Sequence, residues 1–245
     1  MNNGHIVWLD AGHGGADSGA LSPLGLKESD VALAISLYAG KVLEEHGVIV
    51  QHSRITDRSL TLTERSSLAN KAKAALFVSV HLNSAKNPAS GIETFALNED
   101  SKGKPLAERV QDEMLDAFPD ANDRGVKVAR FSVLRKTQMP ACLVEVGFIH
   151  TNAGHERFSK QSTIESAGRA IAYGILKQLG VAILDEALTT EEAENTEVLP
   201  STVTTALATD ELHVKLDWLR RENARLEKEN TALTEILTSA RKALG

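Results

Sequence analysis

The sequence predicts an α/β domain, with a twisted, mostly parallel or mixed sheet flanked by helices, and a C-terminal coiled-coil helix after it. Three observations carry this. Over residues 1–180 short β-rich runs alternate with longer stretches of helical periodicity; over 181–210 the chain turns threonine-rich and acidic, without Lys, Arg or Gly; and from Leu212 apolar residues recur in steps of four and three. The expected organisation is a domain at 1–180, a solvated linker at 181–210 and an oligomerisation helix at 211–245.

The elements follow in order. "HIVWLD", "VIVQHS", "ALFVSVHL", "GIETFAL", "RFSVLR" and "ACLVEVGF" read as strands. Between them, "ESDVALAISLYAGKVLEEHG" repeats apolar residues at helical spacing and stops at Gly47, and "TLTERSSLANKAKA" opens on Thr61 or Thr63 as N-cap with Glu64 in the first turn. "KPLAERVQDEMLDAF" and "STIESAGRAIAYGILKQLG" give two further helices. In sheets of this class ligands collect beyond the carboxyl ends of the strands.

The last segment carries Leu212, Leu216, Leu219, Asn223, Leu226, Asn230, Leu233, Leu237, Ala240 and Leu244 on one seam. That stripe is narrower than a helix docked on a domain usually shows, and favours a homo-oligomeric coiled coil. Asn223 and Asn230 at core positions favour a dimer. The like-charged neighbours Lys215 with Arg220 and Glu222 with Glu227, which a parallel dimer would bring together, leave strand number and direction open.

Charge narrows the partners. Residues 1–180 hold 20 Lys+Arg against 20 Asp+Glu, and 181–245 hold 7 against 13, so the formal charge of −6 lies in the tail. A neutral domain gives no broad footprint for nucleic acid. No window approaches the roughly 18 apolar residues of a membrane span, and membrane insertion is not expected. "MNNGHIVWLDAGHG" lacks a basic stretch leading into an apolar run, which predicts synthesis in the cytoplasm without a signal peptide. Cys142, the single cysteine, sits in an apolar run and is expected to behave as a small buried hydrophobe.

The chemistry centres on "LDAGHGGADSGA", residues 9–20. A glycine-rich turn after a first strand invites phosphate binding, but there is no "GxxxxGK[ST]" or "GxGxxG", and "ALSPLGLK" intervenes before the helix. A metal requires further ligands. Glu28 at the opening of the first helix, His81 at the end of "ALFVSV" and Glu145 at the end of "ACLVEV" would all reach one sheet edge with His13 if their strands are parallel neighbours. Two imidazoles and a carboxylate form a three-ligand set for catalytic Zn²⁺, and a further carboxylate serves as general acid and base. Position alone leaves the structural alternative open, since a histidine at a strand end commonly just finishes a turn. His5, His46, His52, His150, His155 and His213 show no ligand spacing.

"IVWLDAGHGGADSGA", "KESD", "SRITDRSLTLTERSSLAN", "FVSVHLNS", "GIETF", "RGVKVARFSVLR" and "MPACLVEVGFI" resemble, in order and spacing over about residues 4–180, the zinc-dependent N-acetylmuramoyl-L-alanine amidases of the Amidase_3 type. The resemblance implies one Zn²⁺ held by His13, Glu28 and His81, with Glu145 as catalytic acid/base. It implies cleavage of the peptidoglycan amide between the lactyl group of N-acetylmuramic acid and L-alanine. With no signal peptide expected, an open site and a small C-terminal appendage, the expected enzyme is a phage or prophage endolysin, or an autolysin, that reaches the wall after holin-type release or cell lysis. A carboxypeptidase or deacetylase of the wall is the alternative with the same metal chemistry.

Lesser roles are expected of Asp10 and Asp17, as acceptors holding the His13 tautomer or as turn formers, and of Asn83, two positions beyond His81, as a substrate contact. Arg54, Asp57 and Arg65 are expected to form a supporting charge network, and Gly12, Gly14 and Gly15 to let the backbone bend sharply. About 30 residues separate "GIET" from "RGVKV", room for one ordinary helix, whereas some relatives insert a long autoinhibitory helix there; an open site is expected. His155 stands where most relatives carry an acidic residue.

Overall fold

The computed structural model describes residues 6–87 and 89–183; the expected coiled coil and nearly all of the expected linker lie outside the described residues. The element order is β1 (Ile6–Ala11), α1 (Glu28–Glu45), β2 (Ile49–His52), α2 (Leu62–Lys71), β3 (Leu76–Asn83), β4 (Ile92–Ala96), α3 (Lys104–Ala117), β5 (Asp123–Val128), α4 (Ser132–Lys136), β6 (Ala141–Phe148), α5 (Asn152–Phe158) and α6 (Gln161–Leu179). The strands form one six-stranded sheet in the order β2-β1-β3-β6-β4-β5. β2, β1, β3 and β6 run parallel, and β4 reverses against β6 with β5 parallel to it, so the sheet is mixed.

Two helix ends follow directly from local chemistry. Thr61 caps α2 by accepting from the Glu64 amide while the Glu64 carboxylate takes the Thr61 amide, a reciprocal capping box. Behind α1, Gly47 turns the chain into β2 with φ +75°.

The strands alternate their side chains between two unlike layers. On one face Val7, Leu9, Val78, Val80, Val144 and Val146 meet Ile35 and Ala39 of α1, Val110 of α3 and Ile171 and Ile175 of α6 in one continuous core. Cys142 belongs to this core; it is fully buried, and burial pushes its thiol far above the usual range. On the other face Trp8, Phe77, Leu143, Val133 and Leu134 make a smaller cluster under α2 and α4. α3, which fills the connection between "GIET" and "RGVKV", packs Leu106, Val110 and Met114 into the large core, on the face opposite Glu145.

Two expectations need correction. "RFSVLR" is the helix α4 with Phe131 at its N-cap, not a strand. Val133 and Leu134 are consecutive and both buried; a helix turns such a pair onto one cluster, whereas a strand would split it across the sheet. The sixth strand is β5, "DRGVKV", whose charges and central glycine conceal it and suit an edge position.

Candidate metal centre and active site

His13 follows β1, Glu28 opens α1, His81 lies in β3 and Glu145 in β6. Since β1, β3 and β6 are parallel neighbours, their carboxyl ends meet at one edge. His81 and Glu145 are register partners, and Glu145 is in turn the partner of Glu93 on β4. Residues in register on neighbouring strands share a face, so His81, Glu145 and Glu93 stand in a row across three adjacent strands, on the face of the smaller cluster.

Among the described residues one cluster offers three potential ligand atoms within 4.8 Å of one another: His13, Glu28 and His81. Oε1 of Glu28 lies 3.1 Å from Nε2 of His13 and 3.0 Å from Nδ1 of His81. Glu28 is buried, and the Ala20 amide donates to its Oε2 at 2.9 Å and the Leu82 amide to its Oε1 at 3.0 Å. Burial opposes its ionisation, but the bonds from His13 and His81 prevail and hold its carboxyl well below the usual range. Nδ1 of His13 faces Asp17 Oδ2 at 2.8 Å. With a carboxylate at each ring nitrogen, Glu28 foremost, the imidazole is pushed up to about 9. Two imidazoles and a backbone-anchored carboxylate turned on one point, one ring braced from behind by Asp17, match the donor set of catalytic zinc.

The loop bearing His13 is held from beneath. His13 has φ +56°, a left-handed conformation that costs a non-glycine residue about 1–2 kcal/mol. Arg65 Nη2 donates to the His13 carbonyl at 2.5 Å and Nη1 to the Ala11 carbonyl at 2.6 Å. Arg54 Nη2 donates to the carbonyls of Gly12 at 2.6 Å and Ser29 at 2.7 Å, tying the loop to the start of α1. Asp57 accepts from the Gly15 amide at 2.6 Å. At Gly12 the requirement is close approach, for a Cβ there would lie 2.3 Å from the His81 ring.

Asp10, expected beside the His13 ring, is directed elsewhere: its carboxylate accepts from Arg65 Nη1 at 2.9 Å and Ser79 Oγ at 2.8 Å, so it acts on His13 only through Arg65. Asn83 donates to Glu93 Oε1. His155 pairs with Ser22 Oγ at 2.9 Å, and His46 donates back to the Val42 carbonyl at 2.7 Å.

Glu145 differs from the other acids. Its Oε2 is buried without a hydrogen-bond partner, and desolvation pushes its carboxyl up to about 7. It shares a cleft of about 490 Å³ with His13, His81 and Asp17 on the polar side and Leu60, Leu62, Phe131 and Val133 on the apolar side. No residue lining this cleft comes from the connection between β4 and β5.

Glu93 was not among the residues expected at the site, although "GIETF" displays it. Arg124 Nε donates to its Oε2 at 3.0 Å, and Lys127 Nζ donates to the same oxygen. Burial works against its charge, but the bonds from Lys127 and Arg124 hold its carboxyl below the usual range. Only register could have singled it out, since its neighbours Glu145, Arg124 and Lys127 come from two other strands.

Residues 7–177 match the family model described as N-acetylmuramoyl-L-alanine amidase. The chain is 39% identical over 174 residues to YqiI of Bacillus subtilis (strain 168), covering 70% of this chain and 84% of that protein. It is 37% identical over 183 residues to the endolysin of Bacillus phage SPP1, covering 72% of this chain and 66% of that one. Among solved structures, the N-acetylmuramoyl-L-alanine amidase AmiC2 of Nostoc punctiforme superposes with a TM-score of 0.69 at 39% identity, covering 72% of this chain and 97% of that chain. The mixed sheet, the convergent His13, Glu28 and His81 and this match over most of the domain place the chain in the Amidase_3 family of N-acetylmuramoyl-L-alanine amidases.

Proposed function

We propose that this chain, a peptidoglycan amidase, cleaves the bond between the lactyl carbonyl of N-acetylmuramic acid and the nitrogen of L-alanine, with His13, Glu28 and His81 holding a zinc ion and Glu145 acting as acid and base. A zinc ion so held supplies Lewis-acid polarisation of the carbonyl and lowers the pKa of water to near 7. The observation that carries the reading is Glu145. Its carboxyl is half-buried, with Oε2 buried and without a hydrogen-bond partner, and desolvation pushes it up to about 7, which populates both protonation states near neutrality. It therefore takes a proton from the attacking water and returns one to the departing nitrogen. The water oxygen joins the lactyl carbonyl carbon as the C–N bond breaks, leaving a lactyl carboxylate and a free L-alanine amine. Asp17 orients the His13 ring, and the amides of Ala20 and Leu82 keep Glu28 ionised and in place.

Digestion of purified peptidoglycan tests this. The wild type should expose new L-alanine amino termini. Glu145→Gln should lose roughly 10²–10⁴-fold in rate while keeping its fold, and a chelator should abolish activity that Zn²⁺ restores. Activity surviving both treatments, or release of D-alanine or acetate instead, would defeat the proposal.

No helix among the described residues is long and apolar enough to cross a membrane. We infer that the enzyme acts at the wall as an endolysin or autolysin, and that residues 211–245 join two or more catalytic domains, which raises avidity for an insoluble polymer. The heptad seam supports the second point; the full-length chain should have a multiple of the monomer mass in solution, and removal of residues 205–245 should reduce it to one.

A further inference from the structure

The two flanks of Glu145 differ in charge. Towards α2 and α4 the cleft wall is Leu60, Leu62 and Phe131, and its one arginine, Arg65, is buried and engaged with Asp10 and the carbonyls of Ala11 and His13. Towards β5 stand Arg124 and Lys127, both partly exposed and both bonded to the single carboxylate of Glu93.

That pairing is built by a backbone device. In a regular strand, residues three apart face opposite sides of the sheet. Between β4 and β5 the register steps from Ile92↔Asp123 to Thr94↔Val126, so β5 spends one residue more than β4. The extra residue lies at Arg124 and Gly125. Gly125 takes φ +77°, and its amide is tied to Asp123 Oδ1 at 2.8 Å. A bulge of this kind re-aims side chains, and here it turns Arg124 and Lys127 onto the same face, beside Glu93. Gly91 leaves room for the Arg124 stem, whose Cγ would lie 2.9 Å from a Cβ at that position. The guanidinium stacks over the Phe148 ring at 5.1 Å. Its Nε serves Glu93, and its remaining N–H groups make no hydrogen bond among the described residues.

Two cations on one carboxylate leave one positive charge facing solvent beside the reacting centre. We infer that Arg124 and Lys127 seat the free carboxylate of the stem-peptide residue that follows L-alanine, and so set the direction in which the substrate crosses the cleft, peptide towards β5 and lactyl group towards Leu62 and Phe131. The inference rests on the amidase reading given above. The span agrees: Glu93 is one strand from Glu145, about 4.8 Å, and an extended peptide advances about 3.3 Å per residue. The neutral muramoyl group meets the apolar lining of the cleft, and the anionic peptide runs past Glu145 and Glu93, beyond that lining, to the two cations of β5.

The test uses the full-length, zinc-loaded protein and two soluble muramoyl peptides identical except that the second residue carries a free carboxylate or its amide. The wild type should prefer the acid by about tenfold in kcat/KM, the scale of one charge-assisted hydrogen bond. In Arg124→Gln and in Lys127→Gln that ratio should fall towards one. A general loss from disturbing Glu93 slows both substrates and cancels in the ratio, so a purely structural ion pair would leave the preference intact. Equal rates in the wild type, or a preference that survives both substitutions, would overturn the inference. If the wild type cleaves neither peptide, the amidase reading is what has failed, and calorimetric binding of the same two peptides still decides the seat: tighter binding of the acid that Arg124→Gln removes supports it, and equal binding refutes it.

Discussion

The two faces of the sheet are made by alternate residues of the same strands, yet they do opposite work. On the face under α1, α3 and α6, β3 presents Val78 and Val80 and β6 presents Val144 and Val146, all buried in one apolar core. On the other, the same strands present Ser79, His81, Leu143 and Glu145, and only α2 and the short α4 cover part of it. The packed face can hold the strands rigid because it is almost wholly apolar, its buried Thr94 and Gln111 being hydrogen-bonded to each other. The chemical face can carry a buried ion pair, an unpartnered carboxyl and three convergent donor side chains because its backbone is fixed from behind. Glu28 is the bridge, since it belongs to a helix of the packed side and reaches over the sheet edge to both histidines.

This division can be broken from either side. The largest effect on stability is expected from Asp10→Ala, which strands the Arg65 guanidinium in the interior; loss of one partner of a buried pair costs roughly 3–5 kcal/mol. Because Arg65 also holds the His13 carbonyl, zinc content should fall in the fraction that stays folded. Denaturant titration with metal analysis checks both. Ile171→Ala, a fully buried change in α6 on the packed face, should cost about 2–5 kcal/mol and leave kcat and zinc stoichiometry unchanged well below its melting temperature. Equal damage to activity from both substitutions would mean that the two faces are not separable.

A smaller effect concerns pH. His52, at the end of β2 against Gly40 of α1, is pushed down from 6.5 to about 4 by burial. A depressed histidine gives stability that is present above pH 6.5 and is lost as the pH falls towards 4, since the unfolded chain takes up the proton first. Half-burial reduces the full linkage to about 1–2 kcal/mol. His52→Gln should flatten the pH dependence of the melting temperature in that window, and an unchanged slope would show that the ring is not desolvated.

Much of this molecule was legible beforehand. The helices α1, α2, α3 and α6 follow from apolar spacing with their caps and stops. Strands β1, β3 and β6 stand out as apolar runs, and His13, Glu28, His81 and Glu145 are visible as polar residues at their ends and at the mouth of the first helix. What escaped has a common cause. Val133 and Leu134 suit a strand or a helix until there is a cluster to turn towards. "DRGVKV" does not look like a strand until β4 is there to pair with it. Asp10 sits three residues from His13 in the chain, yet its partners are Ser79 and Arg65.

Periodicity, capping and the order of polar blocks are local properties, so the sequence by itself determined the α/β class and most of the elements and, through the family resemblance, singled out His13, Glu28 and His81 as candidate ligands. Register between strands far apart in the chain is not local, because it depends on which hydrogen-bond ladders form and where one gains an extra residue. Only the tertiary structure could decide that Glu93 stands beside Glu145, and that the bulge at Gly125 brings Arg124 and Lys127 to the same carboxylate.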